Sequence, residues 1–172
     1  MEFRVYIAAS LDGFVASADG SVDWLDAFHD PEGYGYDQFL QQIDAIVIGR
    51  KTFDQVLGFG PWPYSGIDTY VLTSRPIEDL PPQTVAWPDG VAALAEHLRS
   101  TTPQGDVWLL GGPKCIDAVR ELGAIDLYEI YVMPVLLGDG IPLFMDGGMS
   151  SLRLVDSRVY ADGVVKLVYR PA

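Results

Sequence analysis

DAIVIGRKT, residues 44–52, is the stretch on which the fold turns. Residues 44–49 form a short, continuous apolar run, the pattern of a strand buried on both faces. The run ends at Gly49, and Arg50 and Lys51 lead into a helix expected over 52–57. A strand passing through glycine into a helix is half of a parallel βαβ unit. The same grammar recurs outward. On the N-terminal side, residues 3–9 read as a strand, 10–33 as a loop rich in Gly, Asp and Ser, and 35–43 as a helix with Tyr36, Phe39, Leu40 and Ile43 at helical spacing. On the C-terminal side come strands at 68–73 and 84–87 and a helix at 89–100 capped by Asp89. A strand at 106–110 then runs into Gly111-Gly112, followed by a helix at 113–122 with Pro113 in its first turn. Residues 126–135 read as a long strand. The runs 152–160 and 163–170 flank Asp162-Gly163, a hairpin signal. The order predicts one α/β domain over 1–172: a three-layer α/β/α arrangement with a mostly parallel mixed sheet and a C-terminal antiparallel hairpin.

Composition limits the class of function. A hydrophobic fraction of 49% with 20% charged residues suits an ordinary globular chain. No apolar run approaches the roughly 20 residues of a membrane span, and MEFRVYIAAS has no signal-peptide core. The single Cys115 allows no internal disulfide. These features predict a cytoplasmic protein. The formal net charge of −13 argues against nucleic acid or an anionic membrane as partner. Four of the eleven bases, Arg50, Lys51, Arg75 and Lys114, fall at the ends of expected strands, as they would for a small polyanion.

Three junctions combine small residues with bases: Gly49-Arg50-Lys51-Thr52, Thr73-Ser74-Arg75 and Gly111-Gly112-Pro113-Lys114. Each is either a plain turn with solvated charges or a phosphate contact, since glycine admits close backbone approach and a helix N-terminus favours anions. Open α/β sheets bind ligands at the carboxyl ends of their strands, where all three would lie. Three basic junctions fit a pyrophosphate plus a further phosphate monoester, the arrangement in NADPH. Ser74 and Arg75 offer hydroxyl and guanidinium donors for a 2′-phosphate, and no acidic residue stands where a bare ribose would call for one. There is no G-x-G-x-x-G between strand and helix and no P-loop. His29 and His97 are far apart in sequence, and no metal is expected.

These clusters, with YIAASLDGFVA (6–16), DGSVDWL (19–25), IGRKTFDQV (48–56), VLTSR (71–75), WLLGGPKCI (108–116) and DLYEIYVMPVLLGDGIPLF (126–144), resemble the dihydrofolate-reductase-like superfamily. The likeness is nearest to the branch related to the riboflavin-biosynthesis reductase domain and covers almost the whole chain. It implies that Ala8 and Gly13 line the nicotinamide and that Gly49, Arg50, Lys51 and Thr52 hold phosphates. Thr73, Ser74 and Arg75 would take the adenosine end, and Gly111, Gly112, Lys114, Cys115 and Ile116 the pyrophosphate and ribose. It also implies a cis peptide at Gly111–Gly112.

For the substrate side the resemblance points to Asp12, which is either a substrate contact and catalytic proton donor or a turn aspartate. Trp24 is either pocket wall or core. Phe53 is placed to face substrate. Leu137 and Gly138, with the rest of their loop, either touch substrate or form a tight turn or dimer contact. No acidic residue of 31–42 takes the position of the pterin-binding carboxylate cleanly. The implied function is NADPH-dependent hydride transfer to a small heterocyclic or ribosylamino-pyrimidine substrate, of the riboflavin-biosynthesis type. Dihydrofolate reduction and nucleotide binding without turnover stay open as alternatives. The strand at 126–135 and the apolar loop after it offer surface for a homodimer, which the sequence leaves open.

Overall fold

The computed structural model describes residues 1–30, 32–101, 104–145 and 148–172. Its strands and helices are β1 (Phe3–Ser10), β2 (Phe14–Ala16), α1 (Tyr36–Leu40), β3 (Ile43–Gly49), α2 (Arg50–Gly58), β4 (Asp68–Leu72), β5 (Thr84–Trp87), α3 (Gly90–Thr101), β6 (Asp106–Gly111), α4 (Pro113–Glu121), β7 (Leu127–Met133), β8 (Ile141–Pro142), β9 (Leu152–Val159) and β10 (Val165–Pro171). The main sheet has the order β5-β4-β3-β6-β1-β7-β10-β9. From β5 to β7 the strands run parallel, and β10 and β9 close the far side as an antiparallel hairpin.

β3 sits deep in this sheet because it is apolar on both faces. Ile46 and Ile48 pack with Phe39 of α1 and Phe53 of α2, whereas Ala45 and Val47 pack with Leu94 of α3 and Ile116 of α4. Helices therefore cover the sheet on both sides. α3 contributes Leu94, Ala95 and Leu98, an i, i+1, i+4 set on one stripe. Charge is also buried between β1, β7 and β10. Arg4 donates from Nε (3.0 Å) and Nη2 (2.5 Å) to Glu129 and from Nη1 to Asp106 (3.0 Å), while Lys166 Nζ lies 2.7 Å from Glu129. Each of these charges has a partner, as buried charges must.

Several boundaries differ from expectation. β7 stops at Met133 because Pro134 has no N–H to give the ladder. β7 also lies between β1 and β10 with both of its edges paired, so the edge strands of the sheet are β5 and β9, the latter exposed along its length. α1 is one short turn, preceded by Tyr34 and Gly35 at φ of 57° and 79°, a left-handed break that no helix crosses. The loop after β1 contains β2, which pairs with β8 in a second small sheet. Strands of two and three residues carry no legible periodicity. Gly140 allows this pairing, since a Cβ there would stand 2.3 Å from the Ala16 carbonyl oxygen.

Candidate functional site

Because β3, β4, β5 and β6 are parallel, their carboxyl ends share one edge, and the residues following them close around a cleft of about 660 Å³. Gly49–Thr52, Thr73–Ser74 and Gly112–Cys115 all line it, so the three basic junctions converge. Trp87 at the end of β5, Gly90 at the start of α3 and the segment reaching Ile141 and Met145 complete the wall. Neither α2 nor α4 has a side-chain cap on its first turn. The start of α2 leaves N–H donors and partial positive charge for an anion, whereas in α4 Pro113 has no N–H and that of Cys115 goes to the Gly112 carbonyl (2.8 Å), which leaves the Lys114 N–H.

The charges of the cleft differ in what they are free to do. Arg50 is engaged: Nε donates to both carboxylate oxygens of Asp54 (2.8 and 2.9 Å) and Nη1 to the Pro76 carbonyl (3.2 Å). Elsewhere Arg4, Arg120, Arg158, Lys166 and Arg170 are ion-paired, and Arg99 lies over the Phe3 ring. Among the described residues, Lys51, Arg75, Lys114 and Arg153 are the bases with neither a carboxylate within 4.0 Å nor a ring contact. Lys51 and Lys114 line the cleft, and Arg75 follows Ser74, which does. The Arg75 N–H donates to Thr73 Oγ1 (3.1 Å), and that hydroxyl donates to the Arg75 carbonyl (3.2 Å), which fixes the turn.

Gly112 is required on two counts. Its φ is 74°, and an added Cβ would come within 2.9 Å of Thr52 Oγ1. With Gly111 at φ 142°, this makes the sharp exit from β6 using trans bonds alone, so the expected cis peptide is not there. Two further residues behave unlike expectation. Ile116 is fully buried in the core on the α4 side and does not reach the cleft. Cys115 lines the cleft but is buried, and burial pushes its thiol up to about 12, so it serves as an inert wall at neutral pH.

On the α1 face of the sheet lies a second cavity of about 380 Å³, which the sequence did not announce. It is walled by Tyr6, Tyr34, Tyr36, Tyr64, Tyr131 and Trp108, with Leu25 and Phe28 at one side. The rings brace one another: Tyr6 to Tyr131 at 4.9 Å, Tyr64 to Trp108 at 5.3 Å and Tyr36 to Trp108 at 6.1 Å between centroids. Tyr131 Oη donates to the Tyr34 carbonyl (2.9 Å), and Tyr34 Oη donates to Asp162. Burial raises the hydroxyls of Tyr36, Tyr64 and Tyr131 above the ordinary tyrosine range and that of Tyr6 to about 12. They stay protonated at neutral pH and offer hydrogen-bond donors. The signal was an i, i+2 pattern on neighbouring strands: Tyr6 and Ala8 on β1, Trp108 and Leu110 on β6, Tyr131 and Met133 on β7. Only the strand order makes it a cavity.

Of the residues expected at the reacting end, Ala8 lines this second cavity. Gly13, at φ 88°, closes the turn after β1, and its carbonyl accepts from the Leu143 N–H (2.9 Å). Phe53 is fully buried against Trp62 and faces no cavity. Trp24 packs with Tyr131, Met133 and Tyr160, while Leu25 and Phe28 of the same segment reach the cavity. Asp12 accepts from Ser10 Oγ (2.6 Å), Gly138 N–H (2.8 Å) and Leu137 N–H (3.2 Å). The Ser10 hydroxyl above all holds its carboxyl below the usual range. Asp12 is thus arranged as an ionised acceptor that ties Leu137 and Gly138 to β1, not as a proton donor.

The cleft and the aromatic cavity each have a lining residue at the end of β6: Leu110 lines the cavity and Gly112 the cleft, two residues apart across the turn at Gly111.

The profile of the RibD C-terminal domain family matches residues 3–166. The uncharacterised protein YwjB of Bacillus subtilis is 35% identical over 162 residues, covering 93% of this chain and 92% of its own. The riboflavin biosynthesis protein RibD of Mycobacterium tuberculosis is 30% identical over 161 residues, 84% of this chain but 45% of its own length. Among solved structures, a putative riboflavin biosynthesis protein from Shewanella sp. PV-4 superposes with a TM-score of 0.88 at 28% identity, covering 100% of this chain and 99% of its own. The deaminase/5-amino-6-(5-phosphoribosylamino)uracil reductase of Thermotoga maritima shares the fold, with a TM-score of 0.74 at 15% identity over 99% of this chain and 56% of its own.

Proposed function

The chain belongs to the RibD C-terminal domain family, and we propose on that premise that it is an NADPH-dependent reductase acting on a small conjugated heterocycle. The observation that carries this reading is the junction at β6, where a cleft edged by unpaired bases adjoins a cavity walled by aromatic rings. When bound, NADPH supplies a hydride, that is two electrons and one proton; a second proton comes from water.

The residues of this chain do the positioning. The first-turn N–H groups of α2 and the Lys114 N–H of α4, with the side chains of Lys51 and Lys114, would hold the pyrophosphate. Ser74 and Arg75 hold the 2′-phosphate by hydroxyl and guanidinium donors. Gly112 keeps the floor of the cleft low beside Thr52, and Ala8 presents only a methyl group to the aromatic cavity. The tyrosine rings set the substrate plane and exclude water; the protons of Tyr131 and Tyr34 are already committed within the wall, so the hydroxyls of Tyr6 and Tyr36 are the ones left to donate to a carbonyl or ring nitrogen and draw electron density from the carbon that accepts hydride. Substrates of this class include the ribosylamino-pyrimidines of riboflavin biosynthesis.

The test is a titration of wild type and Arg75→Ala with NADPH and NADH. Wild type is expected to prefer NADPH by at least about tenfold, with most of that preference lost in the variant, as for one charge-assisted contact. Equal binding of the two cofactors by wild type contradicts the assignment.

A further inference from the structure

The aromatic cavity differs from the cleft most in what it lacks. Among the described residues, no Lys, Arg, His, Asp or Glu lines it. Lys166 Nζ lies 5.4 Å from the Tyr131 ring centroid and 5.9 Å from that of Tyr6, but it is bound to Glu129 at 2.7 Å. The adjoining hollow of about 340 Å³ beyond Tyr34 has Arg4, Arg158 and Lys166 in its lining, yet Glu32, Glu129 and Asp156 line it too. Each of those bases already has a carboxylate partner.

The surroundings on the solvent side are acidic. Asp23 and Asp26 flank Leu25, the Asp30 carboxylate accepts from the Tyr34 N–H (3.2 Å), and Asp162 takes the Tyr34 hydroxyl. A phosphate entering here would leave water for a site with no unpaired cation and would pass several carboxylates, which is unfavourable twice over. A flat uncharged ring gives up far less hydration than a phosphate and gains stacking on Tyr6, Tyr131 and Trp108. The molecule thus concentrates its unpaired positive charge in the cleft and keeps it from the cavity.

We propose that the substrate seated in the aromatic cavity is a planar conjugated compound carrying no phosphate group. This rests on the reading of that cavity as the substrate side of a reductase, and it separates the chain from reductases whose substrate is a sugar phosphate.

The test measures binding of a ribosylaminouracil nucleoside and of its 5′-phosphate to the intact chain, without cofactor, by quenching of tryptophan and tyrosine fluorescence. NADPH binding to the same preparation is measured separately. The nucleoside is expected to bind at least tenfold more tightly than its phosphate, and the ratio is expected to widen as salt is lowered. Phe28→Lys, which places a base at the cavity wall, is expected to narrow the ratio severalfold. A phosphate that binds as well as the nucleoside, no saturable binding of either, or a ratio unmoved in Phe28→Lys overturns the proposal. If NADPH binds normally while the phosphate is preferred, only the substrate class fails. If NADPH does not bind, the reductase reading fails whatever the ratio.

Discussion

The cleft and the aromatic cavity lie on either side of the end of β6, and they are built by opposite means. The cleft is built around two helix starts and a glycine turn, walled by Trp87, Ile141 and Met145, with Lys51 and Lys114 as unpaired charges among the described residues. The aromatic cavity is made of large side chains from β1, β6, β7 and the segments around α1, locked by ring contacts and hydrogen bonds. Changes in the aromatic cavity should therefore affect folding, whereas changes to the cleft's charges should affect ligands and little else.

The largest effect expected on this comparison is Trp108→Ala. The indole is 4% exposed and touches Tyr6, Phe39 and Tyr64, so its loss is expected to lower unfolding free energy by about 3–5 kcal/mol in denaturant titrations. A loss below about 1 kcal/mol would mean that the cavity wall is not part of the core.

Next comes Gly112→Ala. It combines a left-handed backbone with a Cβ held 2.9 Å from Thr52 Oγ1, and is expected to cost about 1–2 kcal/mol of stability and to weaken NADPH binding more than tenfold. If affinity stays unchanged, the β6 exit is not where a cofactor lies.

The double variant Lys51→Ala/Lys114→Ala sharpens the contrast. Stability should move by less than about 0.5 kcal/mol, because neither base has a partner, while NADPH affinity should fall about tenfold or more and lose part of its salt dependence.

The smallest effect concerns Asp12. Its folded carboxyl lies below its unfolded value, so its contribution is fully present above an unfolded value of about 3.9 and is lost as pH falls through the folded one. Asp12→Asn should melt below wild type at pH 7, with the two converging as pH drops below about 4. Parallel melting curves at every pH would show that the carboxylate does not anchor Leu137 and Gly138.

The contrast also explains what the sequence made legible. A parallel strand buried on both faces leaves a continuous apolar run, so β3 could be read directly, and so could the basic glycine junctions after β3 and β6. Arg50 was expected at the phosphates, but Asp54 four residues on, at the spacing of a helical ion pair, takes its guanidinium. Phe53 and Ile116 were misplaced because each helical residue turns the side chain by about 100°. One position separates Thr52 in the cleft from Phe53 in the core, and Cys115 from Ile116. The tyrosine cavity stayed hidden because its members are spread from Tyr6 to Tyr131 and meet only through the strand order β6-β1-β7, which no local pattern encodes. The β2–β8 pairing was hidden for the same reason at smaller scale.

The most direct check of the two-cavity account is a crystal structure of this chain with NADP⁺ bound. The account predicts the pyrophosphate at Gly49–Thr52 and Gly112–Lys114, the 2′-phosphate at Ser74 and Arg75, and the nicotinamide beside Leu110 at the mouth of the tyrosine cavity. Phosphate density within the tyrosine cavity, or a nicotinamide directed away from it, would contradict the account.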